Sequence, residues 1–133
     1  MTFDQAQLDE AMPFGRALGI EFTDVAPDEV RSRLAWRAEL CTAGGVLHGG
    51  ALMGLADAAG GLLAFLNLPD GASGTATIES KTNFFRAVRE GFVNGRSHVL
   101  HQGRTTIVVV TDLYDDGERH VARVTQTQAI LGG

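Results

Sequence analysis

The clearest hydrophobic pattern in the chain is an alternation over residues 30–40, within a β-rich stretch that runs from Ile20 to Leu40. Apolar and polar side chains alternate at nearly every position. One face would carry Val30, Ser32, Leu34, Trp36, Ala38 and Leu40, and the other would carry Arg31, Arg33, Ala35, Arg37 and Glu39. A strand with this alternation buries one face and exposes the other to water. We therefore predict a half-buried antiparallel strand, preceded by a shorter extended run that ends at the Pro27-Asp28 turn.

A glycine-rich turn and a long apolar run follow this strand. Residues 51–66 are almost wholly apolar, and no turn-forming residue appears before Asn67, so this run is predicted to be a helix. It is shorter than the roughly 20 residues that cross a bilayer and it carries Asp57, which favours a helix enclosed in a protein core. The N-terminal residues 4–17 predict one or two short helical turns, interrupted near Pro13.

Four β-rich runs complete the chain, over residues 75–85, 91–101, 105–114 and 119–130. The turns at Gly103 and at residues 115–117 are short enough for hairpins. The order of elements predicts an α+β fold in which four strands form a meander and the antiparallel sheet curls around one central helix. The length of 133 residues leaves room for one domain, residues 1–133.

Composition removes several classes of function. The net charge is −5 and no cluster of Lys and Arg is present, so nucleic acid is not an expected partner. Cys41 is the single cysteine, which excludes an internal disulfide and favours a reducing cytoplasm. The acidic N-terminus lacks the pattern of a secretory signal, and we expect mature sequence. His98 and His101 lie three residues apart in a predicted strand, so we expect them on opposite faces and predict no metal site.

Asp57 is the only charged residue on the predicted helix. A bulky stripe lies on the helix at Leu52, Leu55, Ala59, Leu62, Leu63 and Leu66, whereas the helical neighbours of Asp57 are Gly50, Met53, Gly54, Gly60, Gly61 and Ala64. Each interior glycine costs a helix roughly 1 kcal/mol relative to alanine, so a helix or a ligand is expected to approach this face closely. Burial of an unpaired carboxylate is costly, and such acids gather at functional sites. A functional Asp57 is therefore favoured over one that is bonded to backbone or to an arginine.

The segment His48-Gly49-Gly50 lies where the helix is predicted to begin. The first N–H groups of a helix have no partner within the helix, and the helix dipole is positive there. Gly49 and Gly50 thus offer unobstructed donors to a carbonyl oxygen that gains negative charge during a reaction. The alternative is that the glycines only open the helix and that His48 packs against its neighbours.

Taken in order, these motifs resemble those of the hotdog-fold thioesterases, in particular the PaaI-like acyl-CoA thioesterases of the phenylacetate pathway. The resemblance covers about residues 13–130 and rests on three segments: G-x-x-H-G-G-A-L-x-x-L-A-D-x-A from Gly45 to Ala59, Asn83 to Ala87, and His101 to Arg104. It implies the hotdog fold, an antiparallel sheet wrapped around one long central helix. The ordered set is far more specific than the HGG triplet alone.

The resemblance also implies an activity, namely hydrolysis of an acyl-CoA with an aromatic or medium-length acyl group. The residue matching Asp57 attacks the thioester or activates a water molecule, and the N–H group of Gly49 polarises the thioester oxygen. His48 helps to hold the substrate or supports the loop. Active sites of this family lie between two subunits, which implies a homodimer, often doubled to a tetramer. No cofactor is expected, because CoA is part of the substrate.

The substrate contacts implied by the resemblance lie on three segments. Gly50 follows the polarising donor, and the strand carrying Thr77 and Glu79 borders the acyl pocket; by strand alternation these two residues share a face with Lys81. Gly103, Arg104 and Thr105 are expected to meet a phosphate of CoA through a guanidinium group and backbone donors. An ordinary hairpin with a solvated arginine is the alternative for this last segment.

One departure from the family pattern concerns Thr42. Many relatives carry Asn six residues before the histidine, where it positions the water or the thioester, and a hydroxyl lacks the reach and the second donor of an amide. This puts the rate or the substrate preference in doubt and keeps a second hypothesis open, a non-catalytic acyl-CoA binder or sensor. A hotdog dehydratase is a third possibility, although it usually needs a different arrangement of histidine and acid.

Overall fold

A computed structural model describes residues 3–132, so the ends of the predicted domain at residues 1 and 133 lie outside it. Two short helices open the described chain, one long helix lies in its middle, and six strands form a single sheet. The elements are α1 Gln5–Ala11, α2 Pro13–Leu18, β1 Glu21–Val25, β2 Val30–Ala35, a 3-10 turn Ala38–Leu40, α3 Gly49–Leu66, β3 Ala72–Phe84, β4 Phe92–Gln102, β5 Thr106–Tyr114 and β6 His120–Gly132.

The predicted architecture of an antiparallel sheet around one central helix is confirmed. All strand pairs are antiparallel, and α3 packs against β2, β3, β4, β5 and β6. The bulky stripe of α3 provides the helix side of the core, since Leu52, Leu55, Ala59, Leu62 and Leu63 are buried. This is the hotdog fold that the sequence motifs implied.

The order of the strands corrects the predicted meander. The sheet order is β1-β2-β4-β5-β6-β3, so β3 pairs with β6 rather than with β4, which follows it in sequence. Residues 85–91 cross between the two sheet positions, and Val88 in this crossover is buried and accepts a hydrogen bond from the N–H group of Leu47. Burial of Val88 under the helix start fixes the crossover, and β3 is left as an edge strand.

The strand over residues 30–40 is shorter than predicted. Val30, Ser32 and Leu34 point into the core as expected, but β2 ends at Ala35 and residues 38–40 form a 3-10 turn. The indole of Trp36 donates a hydrogen bond to the carbonyl oxygen of Gly45 at 3.0 Å. The chain therefore leaves the sheet after Ala35 and is held against the glycine-rich turn that leads into α3.

A β-bulge in β4 corrects the expected arrangement of the two histidines. His98 pairs with Val110 and His101 with Val108, because the register shifts between Val99 and His101. The two histidines therefore share a face of the sheet, contrary to the alternation argument. The His98 ring is hydrogen-bonded to Glu29 at 2.6 Å, and residues 3–132 contain no group of three or more His, Cys, Asp or Glu side chains suited to a metal ion.

The helix α3 is long and apolar enough to cross a membrane by length and composition alone. Half of it is buried against the sheet, so in this fold it is the core helix. It begins at Gly49, two residues earlier than the apolar run suggested, with His48 as its N-cap residue.

Asp112 on β5 forms an ionic cluster with Arg123 and His120. Its carboxylate accepts two hydrogen bonds from the guanidinium group of Arg123 at 2.8 and 2.9 Å, and a third contact joins it to His120 at 2.7 Å. Burial acts to raise the pKa of Asp112, but the bonds and charges of Arg123 and His120 outweigh it and hold this pKa below the ordinary value.

We expect Asp112→Asn to lower the free energy of unfolding at neutral pH by about 1–3 kcal/mol, the usual contribution of hydrogen bonds to a charged group. Because the pKa of Asp112 is lowered by folding, its contribution is complete above the ordinary value of 3.8 and is lost as the pH falls through the native value. Urea denaturation of both proteins at pH 7 and near pH 3 measures this. A difference between them that is equally large at both pH values would contradict the prediction.

Candidate active site

The start of α3 presents one free backbone donor. The imidazole Nδ1 of His48 accepts a hydrogen bond from the N–H group of Gly50 at 2.7 Å, so this donor is occupied. The N–H group of Gly49 has no hydrogen-bond partner among residues 3–132. Of the two donors considered from the sequence, Gly49 is therefore the one available to a ligand, at the positive end of an 18-residue helix.

A side-chain relay orients the carboxylate of Asp57. The amide of Gln128 on β6 donates to the hydroxyl oxygen of Thr77 at 2.7 Å, and the Thr77 hydroxyl donates to Oδ1 of Asp57 at 2.9 Å. Because the Gln128 bond uses the hydroxyl oxygen as an acceptor, the hydroxyl proton is directed to Asp57. Oδ2 of Asp57 has no partner within the described residues and is free to act on a ligand.

Thr77 was predicted to border the site, and it contacts the proposed catalytic acid directly. Gln128 was missed. It lies on β6 at an inward position, opposite Thr77 in the sheet, and it is buried with 1% of its surface exposed. Two buried glutamines in the inward row of β6, Gln126 and Gln128, were the available sign, but the partner of Gln128 depends on a strand pairing that the sequence did not indicate.

The expected burial of Asp57 is wrong for the single chain, in which its side chain is exposed. The helix turns its bulky stripe toward the sheet, and Asp57 lies beside the edge strand β3 rather than beneath it. The environment of the Asp57 carboxylate therefore depends on contacts along the outer edge of β3.

The three interior glycines of α3 have different surroundings. A Cβ atom on Gly54 would lie 2.8 Å from Leu18, and one on Gly60 would lie 2.6 Å from the Gln126 amide, so close packing explains both. A Cβ atom on Gly61 would meet nothing within 4 Å. We expected one helix or ligand to approach all the glycines on this face of α3. Instead, Gly54 and Gly60 each pack against a different side chain, and Gly61 faces open space.

An apolar cavity of about 390 Å³ opens beside Asp57. Its walls come from α1, α3, β3 and β6 and consist of Phe3, Leu8, Ala11, Met12, Ala58, Gly61, Leu62, Phe65, Thr75, Ala76, Thr77 and Gln128. Among residues 3–132, Asp57 is the only charged residue that lines it. A concave apolar site with a few convergent polar groups is the usual form of a small-molecule site.

A second groove, of about 380 Å³, adjoins the free donor of Gly49. The ring of Phe84 lies against Gly49, where an added Cβ atom would come within 3.0 Å of it. Phe85 and Arg86 continue the wall of this groove. Arg86 is exposed and forms no ion pair within the described chain, so its charge is available to a ligand.

Glu79 does not share a face with Thr77, which corrects the alternation argument. The register of β3 against β6 shifts at Ile78, so that Thr77 pairs with Gln128 and Glu79 with Thr127. Neighbouring residues of β6 point to opposite faces, and the bulge therefore directs Glu79 away from the cavity. Its predicted role as a substrate contact in the same chain has no geometric basis.

Thr42 lies in the turn that leads into α3. Its N–H group donates to the carbonyl oxygen of Val46 at 2.8 Å, and the neighbouring Cys41 pairs with Leu47. The side chain of Thr42 is exposed and forms no hydrogen bond within the described residues.

The Gly103–Thr105 hairpin lies at the other end of α3. Gln102, the residue before it, donates from its side chain to the carbonyl oxygen of Asn67, the C-cap residue of the helix, at 3.3 Å. Arg104 is exposed, and a Cβ atom on Gly103 would approach the Thr106 carbonyl oxygen to 3.0 Å, which explains the glycine. Within one chain this hairpin is separated from Gly49 by the length of the helix.

One chain cannot present Gly49 and Asp57 to the same carbonyl group. The two residues are eight positions apart on α3, and a helix rises 1.5 Å per residue, so their backbones are about 12 Å apart along the axis. A donor must lie about 3 Å from the oxygen that it stabilises. A site that used both Gly49 and Asp57 on one carbonyl group would therefore need a second chain.

A long helix wrapped by an antiparallel sheet, with an oriented acid on the helix and a free donor at its start, defines the class of the hotdog thioesterases. The sequence pattern of the Thioesterase superfamily matches residues 44–122. The chain belongs to this superfamily, and it is a thioester hydrolase.

Individual relatives agree with this assignment. The proofreading thioesterase EntH of Cronobacter turicensis is 30% identical over 86% of this chain and 83% of its own. The crystal structure of a mutant of thioesterase PA1618 from Pseudomonas aeruginosa superposes with a TM-score of 0.91 at 26% identity, covering 100% of this chain and 97% of that one. A mutant of the phenylacetic acid degradation protein PaaI from Thermus thermophilus gives a TM-score of 0.81 at 28% identity, covering 90% and 99%.

Proposed function

We propose that this protein hydrolyses acyl-CoA thioesters with an aromatic or medium-length acyl group, and that Asp57 is its catalytic carboxylate. The observation that carries the proposal is the carboxylate itself, which Thr77 and Gln128 orient at the mouth of an apolar cavity. The names of EntH and PaaI associate relatives of this chain with thioester hydrolysis and with phenylacetic acid degradation.

The active unit in this proposal is a homodimer joined along β3. This strand is 13 residues long, and its outer edge pairs with no strand of the described chain. Ile78, Phe84 and Phe85 are 51–61% exposed along or just beyond it. A long unpaired edge that exposes apolar side chains is a ready template for a second strand, and antiparallel pairing of two copies satisfies both edges at once.

The register of that pairing follows from two contacts. Thr77 marks the position of Asp57 along β3, and Phe84 marks the position of Gly49. We place a two-fold axis near the middle of β3, so that Thr77 of one copy lies opposite Phe84 of the other. This arrangement brings the free N–H group of Gly49 in one chain close to Asp57 of its partner. The dimer then has two equivalent sites, each built from two chains.

In each site the thioester carbonyl oxygen accepts a hydrogen bond from the N–H group of Gly49. This hydrogen bond stabilises the negative charge that develops on that oxygen. Asp57 of the other chain either takes a proton from a water molecule that attacks the carbonyl carbon or attacks that carbon itself, and water then completes the hydrolysis. In both routes the carbon–sulfur bond breaks and the thiolate of CoA leaves and is protonated. Both routes need an ionised carboxylate and no cofactor.

The same register provides a site for the phosphates of CoA. It places Arg86 of one copy opposite Thr75 of the other. Thr75 pairs with Ile130, and the N–H group of Ile130 donates a hydrogen bond to the carbonyl oxygen of Thr105, so the Gly103–Thr105 hairpin lies beside Thr75. Arg86 and Arg104 would then meet the phosphates from two sides. His48 accepts the hydrogen bond of Gly50 and so holds the start of α3 in place, while Thr42, six residues earlier, takes the position from which Asn acts in many relatives.

We extend the proposal to a cytoplasmic protein that forms a dimer of dimers and has neither nucleic acid nor membrane as a partner. Its net charge of −5 and its lack of a basic cluster support the absence of nucleic acid. The burial of α3 against the sheet supports a soluble protein.

A thiol-release screen over acetyl-, hexanoyl-, decanoyl-, palmitoyl-, benzoyl- and phenylacetyl-CoA tests the proposal. We expect release of free CoA from the aromatic and medium-length thioesters with kcat/KM in the ordinary enzymatic range of about 10⁴–10⁸ M⁻¹s⁻¹. Binding of acyl-CoA without release across the whole panel would refute the proposed reaction and favour an acyl-CoA sensor.

A further inference from the structure

Gly60 of α3 lies directly over the side-chain amide of Gln126 on β6. A Cβ atom added to Gly60 would lie 2.6 Å from Oε1, 2.7 Å from Cδ and 2.7 Å from Nε2 of this amide. Because the three distances are nearly equal, the added atom would lie over the flat face of the amide and not beyond its end. At this position the helix backbone therefore contacts a planar group directly, with no side chain of its own in between.

The amide of Gln126 is buried without a hydrogen-bond partner. Gln126 is 1% exposed, and neither Oε1 nor Nε2 is bonded to any group among residues 3–132. Burial of an unpaired amide is costly, and most buried polar groups in proteins are paired. An aliphatic side chain would avoid this cost, but its hydrogen atoms project on all sides, whereas an amide carries none above or below its plane. A planar side chain thus allows α3 to approach β6 more closely than leucine or methionine would.

This contact lies beside the side-chain relay that orients Asp57. Gly60 is three residues after Asp57, which is about 4.5 Å along the helix axis. Gln126 and Gln128 occupy successive inward positions on β6. Both contacts therefore join α3 to the same part of the sheet, and the distance that Gly60 and Gln126 set between helix and sheet is the distance that Thr77 must bridge to reach Asp57.

The hydrogen bond between Thr77 and Asp57 tolerates little change in that distance. Ordinary contact begins at 3.4 Å, so a Cβ atom on Gly60 would need about 0.8 Å more room than it has above Gln126. Gln126 is enclosed and cannot turn into solvent, so α3 has to move. The same movement would lengthen the Thr77–Asp57 bond from 2.9 Å to roughly 3.7 Å, which is too long for a hydrogen bond.

We propose that Gln126 is a positioning residue for the thioesterase reaction: through Gly60 it sets the distance between α3 and the sheet, and so holds Asp57 within reach of Thr77. In this role Gln126 acts through the helix and touches no reacting atom. The inference rests on the proposed function, because it concerns the orientation of the acid that this function assigns.

Gly60→Ala tests the inference, with Gly54→Ala as the matched control. Both variants add a methyl group to an interior glycine of α3, but the neighbour of Gly54 is the end of the flexible Leu18 side chain, on α2 and not on the sheet. We expect Gly60→Ala to lower kcat for phenylacetyl-CoA, or for the best-hydrolysed thioester of the panel, by about 10²-fold, the effect of a misplacement near 1 Å. KM should change little, and Gly54→Ala should lower kcat far less.

Gln126→Met separates positioning from stability. Methionine has nearly the volume of glutamine and removes the unpaired amide, so the melting temperature should rise. Its methyl group is not planar and holds α3 further from β6, so kcat should fall by about 10-fold or more. A purely structural role for Gln126 predicts instead that the melting temperature and kcat change in the same direction.

Shortening Gln126 should restore activity to the alanine variant. In Gly60→Ala/Gln126→Ala the added methyl group has space, and kcat should exceed that of Gly60→Ala by about 10-fold or more, which is the coupling expected for two residues in contact. Crystal structures provide a readout besides activity. The distance between Thr77 Oγ1 and Asp57 Oδ1 should exceed about 3.5 Å in Gly60→Ala and return toward 2.9 Å in the double variant.

Three results would overturn the inference while the wild type is active and Asp57→Asn is not: Gly60→Ala with the kcat of Gly54→Ala, Gln126→Met with unchanged kcat, or a double variant without recovery. Absence of thiol release by the wild type, or full activity of Asp57→Asn, would instead refute the proposed function, and the inference with it.

Discussion

Replacing Asp57 with asparagine is expected to lower kcat/KM for the best acyl-CoA substrate by about 10²- to 10⁴-fold, the usual contribution of a catalytic acid or base. Asparagine keeps the shape of the side chain, and its amide oxygen still accepts the hydrogen bond from Thr77, but it cannot take a proton or attack a carbonyl as an ionised carboxylate does. The measurement is release of free thiol under steady-state conditions.

The fold should survive this substitution, because the side chain of Asp57 is exposed and exposed substitutions usually change stability by less than about 0.5 kcal/mol. Asp24→Asn, at an exposed position of β1, removes the same charge at the sheet edge opposite β3 and serves as the matched control. Equal thiol release by Asp57→Asn and Asp24→Asn would exclude Asp57 as the catalytic group.

The second large effect is expected when the free donor of Gly49 is removed. Gly49→Pro eliminates the N–H group at the first position of α3, where proline is well tolerated. His48 already has an extended conformation, with φ −64° and ψ 137°, that suits a residue before proline. Loss of one such donor typically costs about 10²- to 10³-fold in kcat. Gly49→Ala adds bulk beside Phe84 but retains the donor, so its loss should be smaller.

Combining the two inactive variants tests whether the site is shared between chains. When Asp57→Asn and Gly49→Pro chains are refolded together in equal amounts, half of the dimers are mixed. In each mixed dimer one of the two sites unites an intact Asp57 with an intact Gly49. Activity should therefore return to about a quarter of the wild-type value if two-fold symmetry relates the chains.

Each variant refolded alone should remain inactive, which provides the control for this recovery. If Asp57 and Gly49 of the same chain served one substrate, no mixed dimer would contain an intact site and no activity would return. Such a result would refute the pairing along β3 even if both single substitutions had the expected effects.

Local patterns in the sequence were sufficient to predict the elements that form the proposed site. Helix periodicity and helix ends depend on residues that are close in sequence. The sequence therefore revealed the apolar run of α3, its single charge at Asp57 and the glycines at its start. The motif from Gly45 to Ala59 indicated the thioesterase family, and the family match over residues 44–122 confirmed this prediction.

The errors in the strand order and in the faces of Glu79 and His101 concerned pairings between distant residues. The bulges at Ile78 and Leu100 reversed the faces of Glu79 and His101, since a one-residue shift moves every following side chain to the other face of a sheet. Gln128 could not be connected to Thr77 before β3 was known to pair with β6. No local pattern reports which strand lies beside which.

By itself, then, the sequence determined the helix, the acid and the donor, because these depend on neighbours within a few positions. Tertiary structure decided that the N–H group of Gly50 is occupied while that of Gly49 is free, that Thr77 orients Asp57, and that Gly61, unlike Gly54 and Gly60, faces open space. These properties arise where β3, β6 and α3 meet, and the contacts there join residues as far apart as Thr77 and Gln128. Packing in three dimensions selects among the roles that the local sequence permits.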